Sequence, residues 1–242
     1  MTIEDGGSRD LAADRSLLDR TSTAERVADV LRTRIAEGYF LPGARLSEPD
    51  IGTALGVSRN TLREAFRLLT HERLLSHELN RGVFVRELTE ADVIDLYRVR
   101  KLIECSAVRR ITEKPPTFAR LARTVADGDV ARDNGRWQDL GTANIRFHAE
   151  LAEISGSERI KELMEGVCAE LRLAFHMMAD PRRFYEPYLK RNHQILDRVE
   201  AGDGAGAEAL LEEYLDDAEQ QLVGAFRERA ARAAAEAERT KQ

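Results

Sequence analysis

The sequence predicts a mostly α-helical chain in two parts. A small helical unit with a β-hairpin spans residues 21–88, and an all-helical unit spans residues 89–226. Three observations predict this. A short capped amphipathic segment, Gly56 to Leu69, follows another short helical segment and precedes two β-rich runs around Asn80-Arg81-Gly82. From Thr89 onward apolar residues recur at helical spacing, with no alternating β-branched run to make a strand. A length of 242 residues also suits two modest domains, each with its own core.

The elements follow in order. Residues 1–20 are polar, with Gly6-Gly7 among many Asp and Arg, and read as a disordered tail. A first helix is expected from Thr23 to Glu37, its period set by Val27, Val30, Leu31, Arg34 and Ile35. It ends at Gly38, and Pro42-Gly43 makes the next turn. Ser47 caps a helix from Glu48 to Leu55 with Ile51, Ala54 and Leu55 inward, and Gly56 closes it. Ser58 caps the third helix, because its hydroxyl can accept from an orphan N–H in the first turn. Leu62, Ala65, Phe66 and Leu69 form its apolar face, which leaves Arg59, Asn60, Arg63 and Arg67 on the other side.

Beyond the hairpin, helices are expected over 89–112, 117–133, 136–155, 157–178 and 183–201, and from Ala205 onward. Thr89 or a neighbour caps the first, Pro115-Pro116 separates it from the second, and Gly156, Asp180-Pro181 and Gly202-Asp203-Gly204 punctuate the rest. Residues 227–242 are nearly all Ala, Arg and Glu, a composition that favours helix but buries little, so a frayed helical tail is expected.

The third helix carries the first functional signal. Arginine suits phosphates and guanine edges, and asparagine pairs with adenine. A capped helix of this kind after another short helix is what a recognition helix requires, and the hairpin then reads as a wing. The competing reading is a small helical bundle with charged surfaces. The 37 Lys and Arg against 43 Asp and Glu give a net charge of −6, which argues against nonspecific nucleic-acid binding by the whole molecule but not against a local positive field. Two cysteines, Cys105 and Cys168, fall on expected helices without metal spacing and read as reduced residues. With neither a signal peptide nor a long apolar run, a cytoplasmic protein with no membrane partner is expected.

The run from Ile35 to Glu48, the run Gly56-Val-Ser-Arg-Asn-Thr-Leu-Arg-Glu-Ala and the run Asn80-Arg-Gly-Val-Phe-Val resemble the winged helix of the GntR superfamily of bacterial transcription regulators. The resemblance covers about residues 23–88. It implies DNA contact from Ser58, Arg59, Asn60 and Arg63, with Arg81 and Gly82 of the wing entering the minor groove. Two departures stand out: Pro49 lies where some relatives carry a DNA-contacting arginine, and Arg73 replaces the glycine usual between recognition helix and wing.

The second signal is polar groups on apolar stripes. Arg100 interrupts the stripe Val93, Leu96, Tyr97, Ile103, Ala107, Ile111. Asn144 and His148, four apart and on one face, interrupt Trp137, Leu140, Phe147, Leu151, Ile154. Asn192 lies among Phe184, Tyr188, Ile195 and Val199, and Tyr214 among Ala207, Leu210, Leu211, Ala218 and Leu222. An unpartnered buried polar group costs about 1–3 kcal/mol, so a shared polar cavity is one reading of the set; separately satisfied core residues are the other.

This region resembles the FCD effector domain of the FadR-like branch of those regulators, through Arg100-Lys-Leu-Ile-Glu-Cys-Ser-Ala, Asn144-Ile-Arg-Phe-His-Ala-Glu-Leu with Ser155-Gly, and Asn192-His-Gln-Ile-Leu with Ala201-Gly-Asp. The resemblance implies an antiparallel all-α helical bundle over residues 89–226 that binds a small organic acid, often through a metal, and a homodimer on a palindromic operator in double-stranded DNA. The metal set departs from the family pattern of one aspartate and three histidines, because Asn144, His148, Asn192 and Tyr214 occupy the four places. Amide and phenol are poor transition-metal ligands, so no cofactor is expected and a divalent metal is disfavoured. A one-residue slip would instead pair His148 with His193. Arg100 then points to an anionic effector, unless Glu104 one turn on takes its charge. No GxSxG, HExxH or phosphate loop supports an enzyme, and an architectural DNA protein would not need the further helices. The expectation is a ligand-responsive DNA-binding repressor.

Overall fold

A computed structural model describes residues 22–178 and 180–240; the tail expected over residues 1–20 lies outside the described residues. The chain divides into two compact units between Arg86 and Glu87.

The first unit contains α1 (Thr23–Ala36), β1 (Arg45–Leu46), α2 (Glu48–Leu55), α3 (Arg59–His71), β2 (Leu75–Glu78) and β3 (Gly82–Val85). Ser22 and Glu25 close a capping box at the start of α1. Its buried face is Ala24, Val27, Ala28, Leu31 and Ile35; Val30 and Arg34 from the expected stripe are exposed. In α2 only Ile51 of the expected inner residues is half-buried, while Ala54 and Leu55 face solvent. A helix of eight residues held from one side needs little burial of its own. Gly56 ends it with φ 64°, the left-handed conformation in which glycine carries no Cβ penalty.

Leu62, Ala65, Phe66 and Leu69 of α3 are all buried, as the spacing predicts. Arg32 of α1 holds Glu72, just past α3, with Nε and Nη2 each 2.7 Å from a carboxylate oxygen. This paired contact ties the end of α3 to α1. Arg73 then turns with φ 59°, a left-handed conformation at the place where the family resemblance expects glycine. The hairpin forms with Leu75 opposite Val85 and Glu78 opposite Gly82, and Asn80 takes φ 62° in its turn. A third strand not expected from the sequence, β1, pairs with β3 on the other side, giving the order β1-β3-β2. Two residues are too few to show a period.

The second unit is helical: α4 (Glu90–Arg100), a π-helical turn (Lys101–Cys105), α5 (Ser106–Arg109), α6 (Phe118–Asp133), α7 (Trp137–Glu153), α8 (Glu158–His176), α9 (Pro181–Glu200) and α10 (Gly204–Thr240). Thr89 and Asp92 form a capping box at its start. The π-helical turn interrupts what the sequence presents as one helix over 89–112. It leaves Ile103 half-buried and brings Glu104 and Cys105 inward. α7 sits centrally, packed against α6, α8 and α9, and α10 packs on α4 and α9. Gly141 lets α7 approach α9 closely, since a Cβ there would fall 2.4 Å from the Tyr185 ring. α10 runs unbroken to Thr240, with Arg227 paired to Glu90 and Arg229 to Glu87.

Candidate functional site

Two groups of residues stand out, one in each unit. In the first unit, Ser58 caps α3 by accepting from the Thr61 backbone N–H at 3.1 Å. With the apolar face of α3 buried, Arg59, Asn60, Arg63 and Arg67 are left on the exposed side. Asn60, Arg63 and Arg67 line a surface concavity with Glu48, Phe66, His77 and Val83. Arg81 lies at the hairpin turn, its guanidinium 5.4 Å from the Phe84 ring centroid. Gly82 follows with φ 112°, and a Cβ there would sit 3.3 Å from Arg45 Nε.

The sequence reading did not foresee that these arginines carry carboxylates. Glu48 reaches from the start of α2 to Arg59 at 2.9 Å and to Arg63 at 3.9 Å. Arg67 pairs with Glu64 and Arg81 with Glu78. All are exposed pairs, worth little to stability and easily exchanged for a phosphate.

In the second unit, Arg100, Asn144, His148, Asn192 and Tyr214 are all buried, and Glu104 is fully buried among them. They come from α4, α7, α9, α10 and the π-helical turn. They form two short networks. Glu104 accepts from Arg100 Nε at 2.8 Å through one oxygen and faces His148 Nδ1 at 2.7 Å through the other. Asn144 Oδ1 accepts from Asn192 Nδ2 at 2.8 Å and from the Tyr214 hydroxyl at 2.9 Å. The rings of His148 and Tyr214 join them, centroids 4.8 Å apart. Arg100 also lies 4.9 Å from the Tyr97 ring centroid.

Burial raises the Glu104 carboxyl, but the Arg100 charge and His148 more than offset it, so it stays below its ordinary value and ionised. Burial and Arg100 push His148 down against the pull of Glu104, which keeps the ring neutral. Burial drives the Tyr214 phenol well up, so it remains a donor.

Of the two partners the sequence left open for Arg100, an anionic effector or Glu104, the structure shows Glu104 paired to it. With Arg100 positive, Glu104 negative and His148 neutral, the trio carries no net charge. Hydrogen bonding is nonetheless incomplete: Arg100 Nη2, His148 Nε2 and Asn192 Oδ1 are buried without a partner. As for a slipped alignment, Asn192 faces Asn144, while His193 turns to Asp129 at 2.9 Å and is half-buried.

A metal does not fit these donors. Asn144 Oδ1 already accepts two hydrogen bonds, Tyr214 keeps its proton, and only His148 Nε2 offers a good lone pair. Among the described residues no three His, Cys, Asp or Glu side chains group as metal ligands.

Residues 23–85 match the bacterial regulatory proteins of the gntR family, and residues 95–217 match the FCD domain. The gluconate operon transcriptional repressor of Bacillus subtilis (strain 168) is 37% identical over 222 residues, covering 89% of this chain and 91% of that protein. The Nta operon transcriptional regulator of Aminobacter aminovorans is 28% identical over 197 residues, 78% of this chain and 91% of the other. Among solved structures, one described as a transcriptional regulator GntR from Rhodococcus sp. RHA1 superposes with a TM-score of 0.83 at 49% identity, covering 85% of this chain and all of that one. E. coli McbR/YncC, at 22% identity and TM-score 0.71 over 87% of this chain, shares the fold. The names of the first three describe transcriptional regulators, one of them a repressor. The chain belongs to the GntR family of bacterial transcription regulators, with a DNA-binding helix-turn-helix unit followed by an FCD domain.

Proposed function

We propose that the protein is a repressor whose operator affinity is set by a small polar metabolite bound inside the helical unit. Two copies read an inverted repeat, each with α3 in the major groove through Arg59, Asn60 and Arg63, capped by Ser58, and with Arg81 and Gly82 of the hairpin at the minor groove. The effector is held among Arg100, Asn144, His148, Asn192 and Tyr214 without a metal. The observation that carries the sensing role is the set of three unpartnered buried atoms on α4, α7 and α9. Buried polar groups are almost always satisfied, and three open positions on three helices give a ligand purchase on the packing of the bundle. The effector regulates only by binding the DNA-bound and DNA-free states with different affinity. A repressor is the role named for the Bacillus subtilis relative.

The test uses the full chain. Duplexes selected from a random pool should carry an inverted repeat, and light scattering should give a dimer at micromolar concentration. A monomer there, or selection of a single unrepeated site, contradicts the dimeric reading. Asn192→Leu should keep operator binding and lose its response to cell metabolite extracts. An undiminished response in that variant contradicts the placement of the sensor.

A further inference from the structure

The buried cluster is more specific than a polar cavity, because each open position has a defined hydrogen-bonding sense. His148 Nδ1 lies 2.7 Å from a Glu104 oxygen. A carboxylate there demands a donor, so the single proton of the neutral ring sits on Nδ1. Nε2 is then a bare lone pair. Asn192 gives its Nδ2 hydrogen to Asn144 and leaves Oδ1 open as a second acceptor. Arg100 gives Nε to Glu104 and keeps Nη2 open as a donor. The three open atoms are one donor and two acceptors, in a setting whose fixed charges cancel.

Resting on the sensor reading above, we propose that the site takes an uncharged group that donates twice and accepts once, such as a primary amide or a pair of hydroxyls. The Glu104 carboxylate occupies the position that an effector's own carboxylate would otherwise fill beside Arg100. A free carboxylate brings acceptors only. It satisfies Arg100 but sets lone pairs against His148 Nε2 and Asn192 Oδ1, and it sits near a second buried carboxylate. A divalent metal meets one good ligand and a neighbouring guanidinium.

Glu104 is then a specificity switch. In Glu104→Gln the amide oxygen still accepts from Arg100, and the amide nitrogen then faces His148 as a donor. The imidazole must turn its lone pair to Nδ1 and carry its proton on Nε2. Two open donors and an uncompensated guanidinium result, which is the complement of a carboxylate.

The experiment has two readouts on the full chain. Nitrogen NMR of protein labelled in histidine should show His148 neutral with Nδ1 protonated in the natural protein, and Nε2 protonated in Glu104→Gln. A cationic ring at neutral pH, or an Nε2 proton in the natural protein, overturns the inference without touching the sensor reading. The second readout is binding of matched acids and primary amides: acetate with acetamide, lactate with lactamide, gluconate with gluconamide. The amide of the binding pair should bind about tenfold tighter in the natural protein, and the acid tighter in Glu104→Gln. Preference for the acid in the natural protein, or a stoichiometric zinc or nickel lost in Asn192→Leu, overturns the ligand class. Binding that is unchanged in Asn192→Leu places the ligand elsewhere and removes the sensor reading itself. Absence of binding by every pair in both proteins counts against the ligand class.

Discussion

At the scale of single residues, both sites are defined by acids paired with arginines, and the two settings give the pairs different meanings. Glu48 is exposed enough for water to screen it, so its bonds to Arg59 and Arg63 add little to stability. They matter for recognition, because a phosphate must displace the carboxylate. Glu48→Gln should raise affinity for a random duplex several-fold and steepen its salt dependence by about one unit in log–log slope, the mark of one more phosphate contact. An unchanged slope in anisotropy titrations would show that Glu48 does not restrain these arginines. Glu104 is sealed from water and holds Arg100 and His148 together. Folding lowers His148 below its ordinary 6.5 and Glu104 below its ordinary 4.5, so the unfolded chain binds more protons in both ranges. Stability should therefore fall as pH drops through about 6.5, from His148, and fall further below about 4.5, from Glu104. Denaturant midpoints measured across this range check it, and His148→Gln should lose the first step.

At the scale of elements, the helices of both units were legible because burial and period coincide. α3 is the clearest case: its cap, its four apolar positions and its free arginines are all readable from spacing. What escaped the sequence has local physical reasons. β1 is too short to alternate, and α2 buries almost nothing, so its apparent inner face is not one. The partner of Arg59 lies eleven residues away on another helix, where no periodicity connects them. In the buried polar cluster the residues on α7, α9 and α10 were legible as polar breaks in apolar stripes. The π-helical turn was not, since its widened hydrogen bonding leaves no compositional trace. That turn is what presents Glu104 to both Arg100 and His148. Deleting Leu102, an exposed residue within it, should restore a plain α-helix and keep the register of both flanks. The fold should survive, with about 3–5 kcal/mol lost as Glu104 leaves one of its partners. Urea unfolding measures the loss, and an unchanged midpoint would mean that the turn does not hold the pair.

At the scale of the whole molecule, a DNA-reading unit and a helical unit with an unfinished polar core share one chain. An acidic total of −6, with Arg59, Arg63 and Arg67 grouped on one helix face, favours a specific site over bulk DNA. In the function proposed above, recognition depends on arginines of α3, and response depends on a separate buried cluster whose charges cancel, so that it is read by shape and hydrogen-bond pattern. The measurement that tests this most directly is operator binding by the full chain and by Arg59→Ala and Arg63→Ala. Each variant should keep the natural melting temperature, because both side chains are exposed, and should lose about 1–3 kcal/mol of operator affinity with relaxed sequence preference. Affinity equal to that of the natural protein in both variants would contradict the assignment of α3 as the reading helix.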